Sequence, residues 1–219
     1  MKKVKFLILF PLLIILCSVI LYLSYEYEKN KMPWGESHTV VIFDAEISLP
    51  CTIDEFKRAT SLELIERIDT NDYRGTVRMV DVDLSKRIKG YEYNSLVLQV
   101  NGDTITAISL YLPIGIGYEV IDEPTLISNV VFPGGISAKD SMKEVNEKLS
   151  TGLFNFFRRK DSHDYAGYPN AKGTDFFLGY GNSYIGISFI NDNIQSITYF
   201  YDEILLEDAI LFQSLHKPI

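Results

Sequence analysis

Residues 182–201 alternate β-branched and aromatic side chains with small polar ones, and the run is broken once by Asn191, Asp192 and Asn193. That pattern predicts two strands joined by a tight turn, since such side chains pack on a pleated surface while Asn and Asp tolerate left-handed backbone. A similar pattern lies about 88 residues upstream, where Asn94 to Val100, a turn at Asn101 to Asp103, and Ile105 to Tyr111 follow one another. Asn94 and Ser95 align with Asn182 and Ser183, and Ile105 and Ile108 align with Ile194 and Ile197. Residues three apart on a strand point to opposite faces, so these isoleucine pairs require either apolar cover on both faces or a bulge. Cover on both faces is the expectation.

Around these hairpins the periodicity alternates between strand and helix. His38 to Phe43 and Ile47 to Leu49 read as short strands. Thr52 with Glu55 forms a capping box ahead of helical spacing that predicts a helix over 53–67. Gly75 to Leu84 alternates as a strand, and the first hairpin fills 94–112. Pro113 to Pro124, rich in Gly and Pro, separates this half from the next. Ile127 to Phe132 predicts a strand. Ser137 with Asp140 predicts a second helix start, with Met142, Val145 and Leu149 as its buried stripe. Ile47 to Pro50 and Val131 to Gly135 are aligned as the two helix entries. A mixed stretch (154–164), a turn at Pro169 and Asn170, strands near 174–180, 183–190 and 194–201, and an apolar tail (203–215) complete the chain. Strand, helix and antiparallel strands, performed twice, define an α+β fold rather than a doubly wound parallel sheet.

The N-terminus departs from this pattern. Phe6 to Leu23 carries no charge over eighteen residues, roughly 27 Å as a helix at ~1.5 Å per residue and close to a bilayer's hydrocarbon thickness. Lys2, Lys3 and Lys5 precede it, which places the N-terminus in the cytoplasm and the remainder outside. The expected organisation is a cytoplasmic stub (1–5), a transmembrane signal anchor (6–23), a juxtamembrane linker (24–37), a first half (38–112), a connection (113–126) and a second half (127–219). A cleaved signal peptide, or a lipoprotein acylated at Cys17, are the competing fates of the same segment. Trp34, the only tryptophan, belongs either to the bilayer surface or to a cap on the folded body.

Charge narrows the function. Residues 32–219 hold 16 basic and 27 acidic side chains, a net −11 within the chain total of −8, so a nucleic-acid partner is disfavoured. Cys17 and Cys51 are the only cysteines, so the body has no internal disulfide and relies on its core. Cys51 stands at a helix N-terminus, where a thiol's pKa can fall, and with His38 or His163 nearby it would make a nucleophile. Asp161, His163 and Asp164 form the one local cluster with metal-ligand chemistry, and they read as a solvated loop. Pro133 to Ser137 reads as a backbone turn rather than a phosphate loop. Asp81 with Asp83, and Asp122 with Glu123, are unremarkable pairs in an acidic chain. No catalytic, cofactor-binding or metal-ligating residue is assigned, and no cofactor is expected.

Ile47 to Phe56, Phe132 to Ser137 and the Ile185 to Ile197 hairpin resemble segments of uncharacterised exported or anchored bacterial surface proteins. The duplicated helix-plus-antiparallel-sheet plan is similar to the β-lactamase-inhibitor-protein-like and SmpA-like folds, over about 47–201. That resemblance implies interaction with another protein rather than catalysis, and carries no functional residue over. The chain departs from it in having neither disulfides nor a sound acylation signal. The expected function is a membrane-tethered extracytoplasmic module, held in the bilayer through 6–23, that binds an envelope protein. The rivals are an envelope enzyme using Cys51 or acidic residues, and a purely structural scaffold.

Overall fold

The computed structural model describes residues 14–24, 34, 38–66, 77–84, 96–112, 129–149, 157–164, 172–180 and 182–201. The chain divides into two compact units, Met1–Met32 and Pro33–Ile219. In the first, residues 14–24 are helical and exposed at every position. Among the described residues no helix is long and apolar enough to cross a membrane. Residues 6–13 of the expected span lie outside the described residues.

The second unit runs β1 (Thr39–Ile42), β2 (Ala45–Ser48), β3 (Cys51–Thr52), α1 (Ile53–Thr60), β4 (Glu63–Glu66), β5 (Val77–Asp83), β6 (Leu96–Asn101) and β7 (Thr104–Tyr111). It continues with β8 (Val130–Phe132), a 3₁₀ turn (Pro133–Gly135), β9 (Ile136–Ser137), α2 (Met142–Lys148), β10 (Phe157–Asp164), β11 (Lys172–Tyr180), β12 (Ser183–Ile190) and β13 (Asn193–Phe200). A four-stranded sheet has the order β2-β1-β8-β9, and a larger sheet has the order β10-β11-β12-β13-β7-β6-β5-β4, with β3 also on β7. The pairings are antiparallel, as in β13 on β7 and β1 on β8, so the fold is α+β.

The two hairpins meet at the centre of the large sheet, last strand against last strand. Ser109 faces Thr198, and the Thr198 hydroxyl donates to Ser109 Oγ at 2.9 Å. These residues are 89 apart, and the same spacing recurs around them. Leu112 N–H donates to Gln195 O at 2.9 Å, while Tyr201 N–H donates to Thr106 O at 2.8 Å. Ile53 N–H donates to Asp103 O and Met142 N–H to Asp192 O, both at 3.0 Å. Thr52 pairs with Thr104, and Ser141 forms a bridge with Asn193. In each case a helix start is hung on the hairpin turn of its own segment.

Each hairpin carries the same bulge. The register shifts between Gln99 and Val100 on β6–β7, and between Ser188 and Phe189 on β12–β13. Val100 then faces Ile105 while Leu98 faces Ile108, so both isoleucines lie on one face, with Thr106 as the extra residue. Ile194 and Ile197 are brought together in the same way opposite Phe189 and Ile187. All four are buried. The bulge, rather than a two-sided apolar environment, accounts for the three-residue spacing.

Three expectations need correction. α1 stops at Thr60, not at 67, because Ser61 turns left-handed (φ 55°) and closes the helix on Lys57 O. The Thr60 hydroxyl bonds Phe56 O and accepts from Leu62 N–H, and 63–66 are drawn off as a strand against β5. The second cap is Ser141 with Glu144, not Ser137 with Asp140. Asp140 instead accepts from Ser137 N–H at 2.7 Å and holds Lys148, whose ammonium also reaches Gly135 O at 2.8 Å. The entry strands that correspond are therefore Ile47–Ser48 and Ile136–Ser137, each four residues before its cap. The stretch 157–164 is a strand, β10, at one end of the large sheet.

Both caps are complete boxes. Thr52 N–H reaches Glu55 Oε2 at 2.7 Å and Ser141 N–H reaches Glu144 Oε2 at 2.8 Å, while each hydroxyl accepts the N3 amide in return. These bonds, backbone first and hydroxyl second, hold both carboxyls below their ordinary value. Thr52→Ala and Ser141→Ala are each expected to lower stability by about 1 kcal/mol in denaturant melts. A depressed carboxylate stabilises above its unfolded pKa and loses that effect as the pH falls through its folded one. Any gap between wild type and Glu55→Gln at neutral pH should therefore close in acid; a gap that widened there would refute this account of the cap.

Candidate functional site

Cys51 is the residue whose local chemistry most invites a functional reading, and its surroundings oppose that role. It lies in β3, paired with Ile105 of β7, and is half-buried. Burial first, and the neighbouring Glu55 carboxylate second, push its thiol up to about 11. The helix start that was expected to favour a thiolate also carries Glu55, drawn in by the capping box, so the local charge favours the protonated thiol. In the full-length protein, iodoacetamide should label Cys51 slowly at neutral pH and faster as the pH approaches 11. Rapid labelling at pH 7 would restore the nucleophile. Because the folded pKa lies above the unfolded one, this group subtracts from stability as the pH rises past about 9.

His38 is placed elsewhere. Its Nδ1 lies 3.4 Å from the Tyr199 hydroxyl. Tyr199 is buried on β13, and desolvation raises its pKa, opposed by a hydrogen bond with Ser183. Trp34 packs edge-on against Tyr199, ring centroids 6.4 Å apart at 85°. Its Cβ also lies where a side chain on Gly134 would have to go: a Cβ there would sit 3.0 Å from it. Trp34 thus caps the folded body, and Gly134 lies in the turn that joins β8 to β9 within the small sheet.

Pairing sorts the large sheet into two faces. Leu98, Ile108, Tyr199 and Ile185 share the face that carries Trp34 and His38. The opposite face carries Gln99, Ser109, Thr198, Ser188 and Asp175 among Tyr184, Phe177 and Phe200. Gln99, Ser109 and Asp175 are buried there, and Gln99 Oε1 has no hydrogen-bond partner. Gly186 opens room on this face, since a Cβ would come within 3.3 Å of Phe177 and 3.5 Å of Phe200. A glycine inside the β pattern Tyr184 to Ile187 was the sequence signal for this close approach.

The other candidates do not assemble. Asp161, His163 and Asp164 fall within the last four positions of β10 rather than on a loop. Among the described residues, no three His, Cys, Asp or Glu side chains gather as metal ligands would. Gly134 and Gly135 take positive φ (82° and 72°) in the 3₁₀ turn, and Gly135 O is engaged by Lys148, as a backbone turn requires. Asp122, Glu123 and the tail from 202 lie outside the described residues. Comparison with protein-family models, with characterised proteins and with solved structures finds no match.

Proposed function

We propose that the chain is a membrane-tethered extracytoplasmic module that binds an envelope protein and performs no catalysis. The observation that carries the tether is the N-terminal helix: Ile14, Ile15, Leu16, Val19, Ile20, Leu21 and Leu23 are all exposed, in a unit separate from the folded body. A helix apolar on every side has no core to join and partitions into lipid. The three lysines among the first five residues favour a cytoplasmic N-terminus.

Protein binding is supported by elimination and by architecture. The protonated Cys51 thiol weakens the enzyme reading. The recurrence of caps, turn anchors and bulges at a spacing of 89 supports a body of two similar halves joined at β7 and β13. Such a plan is what the likeness to protein-binding tandem folds called for.

Protease added to intact cells should remove the residues beyond about 30 if the body is outside. Protection in intact cells with digestion after lysis would overturn the orientation. The mass of the mature N-terminus separates an anchor from a cleaved signal and from an acylated Cys17. Crosslinking of the full chain in its own envelope should trap a protein partner, and recovery of uncrosslinked chain alone would count against the binding role.

A further inference from the structure

We infer that β4 of one copy pairs with β10 of the next, so that the large sheet continues from chain to chain. Among the described residues these strands are the two ends of that sheet, each paired on one side only, β4 with β5 and β10 with β11. An end strand leaves alternate N–H and C=O groups facing outward, a template for one more strand. Proline, lysine or a bulge commonly guards such an end. β4 has none of them, and its register against β5 runs unbroken from Glu63–Asp83 to Glu66–Val80. It presents Ile65 instead, 44% exposed and one of two large apolar side chains that the body leaves open among the described residues. Its only guards are two glutamates, which repel a strand of like charge and attract one of opposite charge.

Direction and charge choose the occupant. Each of the eight strands from β10 to β4 runs antiparallel to its neighbour, so the two ends point in opposite senses. Setting β4 beside β10 of a following copy therefore keeps the antiparallel alternation. β4 has Glu63 and Glu66, and β5 behind it adds Asp81 and Asp83. Lys57 and Arg78 reach the two glutamates at 3.6 and 3.1 Å, but these are exposed pairs of little strength, which a strand of basic residues displaces. β10 contains Arg158, Arg159 and Lys160, the one run of three basic residues in the chain. β4 set antiparallel against its own copy would instead bring Glu63 opposite Glu66, a like-charge pair. A contact between unlike ends does not close on itself, so copies add without a fixed number. It neither needs nor excludes the envelope partner proposed above.

The test follows the size of the full-length chain by sedimentation in density-matched nonionic detergent, from low to high micromolar concentration. Wild type should shift to a series of larger species as concentration rises, and several-fold less in high salt, which screens exposed charge. Wild type that stays monomeric at every concentration overturns the proposal. Association equal at low and high salt is the behaviour of contacts between apolar helices and overturns it too. Two charge-reversed chains locate the contact: Glu63→Lys with Glu66→Lys, and Arg158→Glu with Arg159→Glu and Lys160→Glu. Each alone should stay monomeric. An equal mixture of the two should associate again, since each reversed end meets its opposite on the other chain. Association untouched by the β4 reversal would put the contact elsewhere, β10 against its own copy included, and would refute the pairing. No recovery in a mixture of chains that circular dichroism shows to be folded would refute it equally. Should the β10 variant fail to fold, Ile65→Lys on the exposed end strand gives a second reading: it should weaken association several-fold, and an unchanged distribution of species would sink the proposal.

Discussion

Ile197→Asp is expected to unfold the body. Ile197 is fully buried and sits at the seam of the large sheet, facing Ile187 on one side and Leu110 on the other. A carboxylate there has no basic partner in either facing position. Burying it costs several kcal/mol against a total stability of roughly 5–15 kcal/mol. The control lies five residues away. Asp192 is exposed, and its contributions are backbone ones: its carbonyl accepts from Met142 and its N–H donates to Ile190 O. Asp192→Ser keeps both and should stay within about 0.5 kcal/mol of wild type. Circular-dichroism melts of the two variants decide the matter; coincident curves would make this hairpin peripheral.

Phe56→Ala should be the costliest truncation on either helix. Phe56 is fully buried on α1, and removing its ring leaves a void as well as a lost transfer term, about 3–5 kcal/mol together. For a body of this size that lowers the melting temperature by roughly 10 °C, at about 2–4 °C per kcal/mol. Val145 stands 89 residues on, fully buried at the equivalent place on α2. Val145→Ala removes only two methyl-sized groups, about 1.6 kcal/mol at ~0.8 each. Unequal melting shifts in that order support two helices filling like positions with different volumes. A Phe56→Ala shift no larger than that of Val145→Ala would show that α1 covers little of the core.

Much of the fold was legible because its signals are local. The Thr52–Glu55 box marked the start of α1, and both hairpins announced themselves through β-branched runs around Asn-containing turns. The strand β10 was hidden because Phe157 to Asp164 is mostly charged and lacks alternation. An end strand needs less apolar alternation than a central one, since only one neighbour holds it. The end of α1 was hidden for a related reason: Leu64 and Ile65 fit helical spacing, and only pairing with Val82 and Asp81 draws them into a strand. The wrong second cap arose because Ser137 and Asp140 have a cap's spacing, while Asp140 is engaged by Lys148 and Ser141 has the better partner in Glu144.

The sequence by itself determined the α+β class, the two hairpins, the start of the first helix and the apolar character of the N-terminal run. Each follows from neighbours a few residues apart, which is the range over which periodicity and capping act. Tertiary structure alone decided that the two hairpins join at β7 and β13, that their bulges put paired isoleucines on one face, and that burial pushes the Cys51 thiol up rather than down. It also decided that Trp34 belongs to the body, because Tyr199 and Gly134, far along the chain, build the seat. The seam between β7 and β13 and the packing of Trp34 depend on residues far apart in the chain meeting, and no local pattern encodes which of them will meet.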